Sequence, residues 1–394
     1  MKFLCTSVAV TALAAVLGAA NTAYAARAYI GTYTPDPADP HTAANGGQGI
    51  YLVNINDATG APSNPKLVAK SLSPTWITLS ADHKFLYAVN EIASYGPNKS
   101  GSITAYAVDQ ASGALKQLNM VDSGGAIPCY VSVHPSGKFL LVANYTGGSY
   151  SVTRIKPDGS LGETTDVVKP SGPMGVYQAA DRPPGMAGDK APHGSRGHMI
   201  LPDPSGQYVL GDDAGRDQIF VWKLDTNTGK LAEVSVTKSL PGAAPRHFAF
   251  SPDGKTLYQQ QEQDSRLTVY GFEGGKLTAK GASISTLPAG FEGSNTTSEL
   301  LIDKAGKHLY GANRNHDSIA TMAVTADSAK LVANTHTEGT IPRSLTLDPA
   351  GKFLYSLNQN AGNVATFAIG ANGVPKFTGK FLGLGSPAVM VFLP

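Results

Sequence analysis

The sequence predicts an all-β fold, a seven-bladed β-propeller whose last blade is closed by the N- and C-terminal strands. Three observations carry that expectation. A turn-and-strand unit recurs six times, its copies are spaced at blade length, and unmatched strand-like segments near the two ends supply a seventh blade. Glycine at 44 and proline at 26 of 394 residues, with no long helical period, fit an all-β chain rich in turns.

The recurring unit is an Asp/Pro/Gly-type turn followed by an apolar strand. Its copies are Ala81-Asp82-His83-Lys84, His134-Pro135-Ser136-Gly137, Asp203-Pro204-Ser205-Gly206, Ser251-Pro252-Asp253-Gly254, Asp303-Lys304-Ala305-Gly306 and Asp348-Pro349-Ala350-Gly351. One turn residue per copy serves as a reference: His83, Gly137, Gly206, Gly254, Gly306 and Gly351. Their separations, 54, 69, 48, 52 and 45 residues, are the length of a four-stranded blade and far exceed the period of a β-helix. A seventh blade is expected from Pro387–Phe392 as inner strand with Ala28–Tyr33 and Gly49–Val53 outside it. Joining the two ends in one sheet removes the exposed edges that a linear array would leave.

Residues 1–25 read as a signal peptide. Met1-Lys2 leads an apolar run from Phe3 to Ala20, and Ala23-Tyr24-Ala25 is a small-x-small cleavage site. The propeller then occupies residues 26–394, in the periplasm or outside the cell. Only Cys129 remains after cleavage, so no internal disulfide is expected and the core must hold the fold. A formal charge of +2 with both signs dispersed gives no reason to expect a nucleic-acid or membrane-surface partner, and a monomer is expected.

The repeat also locates a rim. The strand before each turn runs down the ring wall and the strand after it runs back, so residues eight before and eight after the reference residue share one end. The minus-eight series is Thr75, Cys129, His198, Arg246, Ser298 and Arg343; the plus-eight series is Glu91, Tyr145, Ala214, Glu262, Arg314 and Gln359. Plus-seven residues (Asn90, Asn144, Asp213, Gln261, Asn313, Asn358) are turn formers, apart from Gln261, and are expected to be structural. The eights concentrate a histidine, arginines and a glutamate on neighbouring blades, and charge at a channel mouth is costly unless paired or used. The Gly/Pro-rich stretch 170–197 leads to the same rim and is expected to cover it, as is 287–297. His83, His134 and His308 fall in turns at the opposite end and are expected to face solvent.

Tyr29-Ile30-Gly31-Thr32-Tyr33-Thr34, Gly49-Ile50-Tyr51, Pro245-Arg246-His247-Phe248, Ser298-Glu299-Leu300 and Ala312-Asn313-Arg314-Asn315-His316 together resemble the seven-bladed lactonase family. That family includes propeller-type 6-phosphogluconolactonase and the carboxymuconate-lactonizing cyclase, and the likeness spans the mature chain. It implies a lactone hydrolase or lactonizing cyclase with site residues at His198, Arg246, Glu262 and Arg314, the four that the rim count also selects. Two departures stand out: Arg196 occupies the place of the family's first Pro-His-x-His histidine, and Tyr258-Gln259-Gln260-Gln261-Glu262 is unusually polar for a strand.

Opening a lactone needs an activated water, a stabilised oxyanion and a proton for the leaving alkoxide. Glu262 is expected to be the general base or the orienter of a basic His198, Arg246 and Arg314 to hold the oxyanion and an anionic substrate group, and His198 to donate or shuttle the proton. Glu91, Arg196, Glu299, Arg343 and Gln359 are the substrate-binding candidates, with Arg343 and Glu299 alternatively paired to one another. Arg246 and Glu262 have a plainer reading as an ion pair tying two strands. No cofactor and no metal are expected, because arginines would repel a calcium ion held by Glu91, Asn90, Asn144 and Asn313, and no phosphate loop, zinc spacing or dinucleotide pattern is present. The alternative from another class is a non-catalytic exported propeller that binds a protein or cell-envelope ligand.

Overall fold

The computed structural model describes residues 26–35, 46–175, 194–325 and 327–394. The expected signal peptide lies outside the described residues, and so does most of the stretch expected to cover the rim. Twenty-nine strands, β1 to β29, form seven antiparallel sheets among the described residues. No described helix is long and apolar enough to cross a membrane.

Each sheet is a meander with its inner strand on the ring axis: β4 (Ile77–Leu79), β8 (Pro128–Val133), β12 (Gly197–Pro202), β16 (Pro245–Phe250), β21 (Thr297–Ile302), β25 (Pro342–Leu347) and β29 (Pro387–Leu393). Each inner strand packs on the next and β29 packs on β4, which closes the ring. The closing blade is the one expected from the two chain ends: β29 pairs with β1 (Ala26–Thr32), β1 with β2 (Gly49–Ile55) and β2 with β3 (Pro62–Lys70). Ile30 sits between Met390 and Tyr51 in that register.

The repeated turn explains the regularity. Five of the six reference residues are glycines at φ 66 to 70°, where a Cβ is disfavoured; His83 takes the same left-handed conformation at φ 56°. Four residues after it, on the second strand, a tyrosine ties one blade to the next in four of the six copies. The hydroxyls of Tyr87, Tyr258, Tyr310 and Tyr355 donate to Gly159, Thr325, Gly373 and Gly60 carbonyls at 2.8–3.1 Å, and Tyr29 closes the series on Gly113. These rings pack in apolar layers between sheets, and a phenol buried there needs its hydrogen bond.

The plus-seven residues are structural as expected. Asn90, Asn144, Asn313 and Asn358 each donate to a carbonyl in the connection from the preceding blade (Leu72, Ser123, Thr286, Thr337) at 2.7–3.1 Å. Gln261 reaches the equivalent Ser239, so this exception keeps the role with a longer arm. His134 is a correction: it is buried, with Nε2 at 3.2 Å from the Gly206 carbonyl, so it packs between blades instead of facing solvent.

Candidate active site

Two backbone devices build the rim. The first is a hydrogen bond repeated in all six copies, from the plus-eight N–H to the minus-ten carbonyl: Glu91 to Ser73, Tyr145 to Ile127, Ala214 to Arg196, Glu262 to Ala244, Arg314 to Thr296 and Gln359 to Ile341, at 2.7–3.0 Å. It fixes both strand ends at one level. The second is a β-bulge at the minus-eight residue: Cys129, His198, Arg246 and Arg343 are each skipped in the pairing of their inner strand, and Ser298-Glu299 is skipped in the fifth copy. A bulge re-aims a side chain, so the residues at this level point into the channel mouth while the strands below keep their alternation. Just before it, Ser73, Ile127, Ala244 and Ile341 have φ between 38 and 57°. For the β-branched Ile127 and Ile341 that conformation costs about 1–3 kcal/mol, strain of the kind that gathers at functional sites.

Three charged residues meet at one side. Glu262 Oε2 lies 3.4 Å from Arg246 Nε, and Glu262 Oε1 accepts from Arg314 Nη2, which also donates to the Thr297 carbonyl at 2.9 Å. Arg246 is fully buried. All three of its guanidinium nitrogens lack a hydrogen-bond partner among the described residues, although Glu262 is close enough to balance the charge. Buried donors of this kind are normally satisfied, so these are open to an oxygen that the described residues do not supply.

A second cluster stands across the mouth. Glu91 accepts from Thr75 and from the Tyr33 hydroxyl at 3.1 Å, and Arg343 lies 3.7 Å from Glu91 while donating to the same hydroxyl at 3.0 Å. Burial raises the Glu91 carboxyl above its ordinary range, and Arg343 together with the Thr75 and Tyr33 hydrogen bonds works against that rise.

His198 stands beside both clusters, edge-on to Tyr145 at 5.6 Å between ring centroids. Burial, then the charges of His247, Arg343 and Arg314, hold its imidazole well below the ordinary histidine range. It is therefore neutral at neutral pH. Beneath it the minus-seven residues make a floor. Trp76 stacks on Tyr130 at 4.5 Å, and His247 meets Trp76, Tyr130 and His198 edge-to-face at 5.4, 5.5 and 5.1 Å. Trp76, Tyr130 and His247 come from three blades and His198 from a fourth, so this layer of rings links neighbouring blades and forms the base of a cup on that side of the mouth.

His198, Arg246, Glu262 and Arg314 thus share one mouth with Glu91 and Arg343. The pairing of Arg343 with Glu299 is corrected: Arg343 goes to Glu91 and Tyr33, while Glu299 Oε1 lies 3.0 Å from His247 Nδ1 in the floor. The Arg246–Glu262 ion pair exists, with Arg314 as a third member. Arg196 places its guanidinium 5.6 Å over the Tyr145 ring while its backbone N–H donates to Asp213, and Gln359 is half-buried at the rim. Of stretch 287–297, Asn295 donates to Ser265 and Asn313 beside the Arg314 connection. The residues considered for calcium are engaged elsewhere, and no group of three His, Cys, Asp or Glu able to hold a metal occurs among the described residues.

The polar strand is explained by position. Gln260 donates to the Glu299 carbonyl at 2.9 Å, Gln261 caps the preceding connection, and Gln259 donates to the Gln260 carbonyl at 2.6 Å. Of this strand, Gln260 therefore braces the floor through Glu299, and Glu262 the arginine cluster.

A family model described as lactonase, seven-bladed β-propeller, matches residues 27–392. The chain belongs to that family. This lactonase is 31% identical over 319 residues to the 6-phosphogluconolactonase of Bacillus subtilis, covering 80% of this chain and 83% of that one. Among solved structures it is similar to the periplasmic gluconolactonase of Pseudomonas aeruginosa, at 27% identity with a TM-score of 0.80, covering 94% of this chain and 99% of that one. A putative 6-phosphogluconolactonase from Bacteroides fragilis is similar at the same identity, TM-score and coverage. Sequence reasoning on the lactonase missed Tyr33, Trp76, Tyr130 and His247. The minus-seven series, Trp76, Tyr130, Met199, His247, Glu299 and Ser344, held the signal for the floor, because a bulge turns two consecutive residues toward one channel.

Proposed function

We propose that this lactonase is exported and hydrolyses a small sugar-acid or organic-acid lactone at the mouth formed by Arg246, Glu262, Arg314 and His198. The observation that carries the reading is the fully buried Arg246, its donors unfilled, in the same cup as Arg314 and a neutral imidazole. Guanidinium groups preorganised in a buried cup stabilise an oxyanion without the reorganisation water would require. Both Glu262 oxygens face guanidinium groups, so Glu262 serves to hold the two arginines in position and is poorly placed to accept a proton from water. Arg343 and Glu91, with Tyr33, would grip the polar end of the substrate. The similarity to gluconolactonases supports a sugar-acid lactone as the substrate class. Export is supported by the N-terminal run ending in Ala23-Tyr24-Ala25.

A panel of sugar δ- and γ-lactones, with and without phosphate, tests the reaction on purified protein. At least one should be opened enzymatically, with unchanged rate after treatment with EDTA. Loss of turnover on chelation, restored by calcium or zinc, would count against an arginine-based site, and inertness toward the whole panel would favour a binding propeller.

The N-terminus tests export separately. Protein recovered from the periplasmic or secreted fraction should begin at Ala26. Recovery of chains that still carry Met1 in that fraction would remove the signal-peptide reading.

A further inference from the structure

We propose that His247, held by Glu299, accepts the proton of the attacking water, a role that rests on the lactone-hydrolysis reading. His247 is the residue after Arg246 on the same bulged strand, one step further from the rim than the arginine cluster. Its Nδ1 is 3.0 Å from Glu299 Oε1, with both side chains almost fully buried. A carboxylate can only accept, so Nδ1 carries the hydrogen and the Nε2 lone pair is bare. Nε2 is buried and has no partner among the described residues. Trp76, Tyr130 and His198 hold the ring from three other blades, which leaves that lone pair in one orientation.

An orienting carboxylate behind an imidazole whose other nitrogen is left unpaired is the arrangement a general base requires. The titratable groups facing His247 are Glu299 on β21, His198 on β12 and Tyr130 on β8; Trp76 does not titrate. Glu299 is the acid among them, in hydrogen-bond contact with Nδ1. His198 meets Tyr145 and His247, and its Nδ1 has no partner among the described residues, so of the two imidazoles His247 is the one with an orienting carboxylate. In the step proposed, the water oxygen bonds to the lactone carbonyl carbon and its proton passes to His247 Nε2. The carbonyl electron pair moves onto the oxygen facing Arg246. Collapse breaks the ring C–O bond, and the imidazolium returns the proton to the ring oxygen, giving the hydroxy acid.

The experiment compares kcat/KM against pH for wild type, Glu299→Gln and His247→Gln on a lactone that the wild type opens, with 15N NMR of the histidine side chains. Wild type should show an acid limb from one ionisation. Glu299→Gln should lose roughly 10²-fold in rate and move that limb to lower pH, because the imidazole loses the charge that favours its protonated form. His247→Gln should lose as much or more and no longer show the limb. A structural dyad would lower Tm and leave the limb where it was, and an active wild type with unmoved variants overturns this proposal alone. Should either variant fail to fold, the wild-type spectrum still decides: His247 must carry its hydrogen on Nδ1, and an Nε2–H tautomer refutes the assignment. A wild type inert on every lactone overturns the parent reading, and this one with it.

Discussion

Glu262→Gln is expected to lower both thermal stability and turnover. The carboxylate is 7% exposed and lies between the Arg246 and Arg314 guanidinium groups. An amide of the same shape can accept from one guanidinium through its oxygen but turns its NH₂ toward the other. The buried Arg246 and the partly buried Arg314 are then left without the charge that balanced them. Breaking a buried ion pair by removing one partner costs about 3–5 kcal/mol, well above the 0–1 kcal/mol of an exposed pair. Turnover should fall with it by about 10²-fold or more, because the arginines lose the group that aims them at the oxyanion. Thermal unfolding alongside kcat on the best panel lactone measures both. A destabilised protein with normal turnover per folded molecule would reduce Glu262 to a tie between strands and argue against the arginine site.

The ring and the mouth were legible because the repeat is regular. A reference glycine at φ near 70° recurs at blade spacing, so counting eight residues either way reaches one physical level in every copy. The six hydrogen bonds from plus-eight N–H to minus-ten carbonyl are the reason that count works. What the count could not foresee is the bulge at the minus-eight residue. Strict alternation would send His247 and Glu299 away from the channel when Arg246 and Ser298 point into it. The bulge places both layers inside, and this is why Glu299 pairs with His247 and not with Arg343. Tyr33 escaped the count for another reason. It lies in the blade made from both chain ends, which has no copy of the turn to count from. Arg343 was found by the count, but its partners were not, because they come from that closing blade and from the one beside it.

Arg246→Lys should be the most damaging conservative change at the site. The side chain is fully buried, and its three guanidinium nitrogens are without hydrogen-bond partners among the described residues, although Glu262 balances the charge from 3.4 Å. Lysine keeps that charge, so the pairing with Glu262 and the electrostatic balance of the cup survive in part. What disappears is the planar fork, since an ammonium is a compact point charge that cannot present two parallel donors to one oxygen or carboxylate. If those donors meet the tetrahedral oxyanion, losing them removes an interaction made only in the transition state, and kcat should fall about 10²–10³-fold with little change in KM. If they grip a carboxylate or phosphate that is already charged in the ground state, KM should rise and kcat should hold. Steady-state kinetics of the purified variant on the same lactone separates the two cases. A fall in kcat places Arg246 at the reacting carbonyl, above His247, and a rise in KM alone moves it to the substrate's anionic end and passes the oxyanion to Arg314.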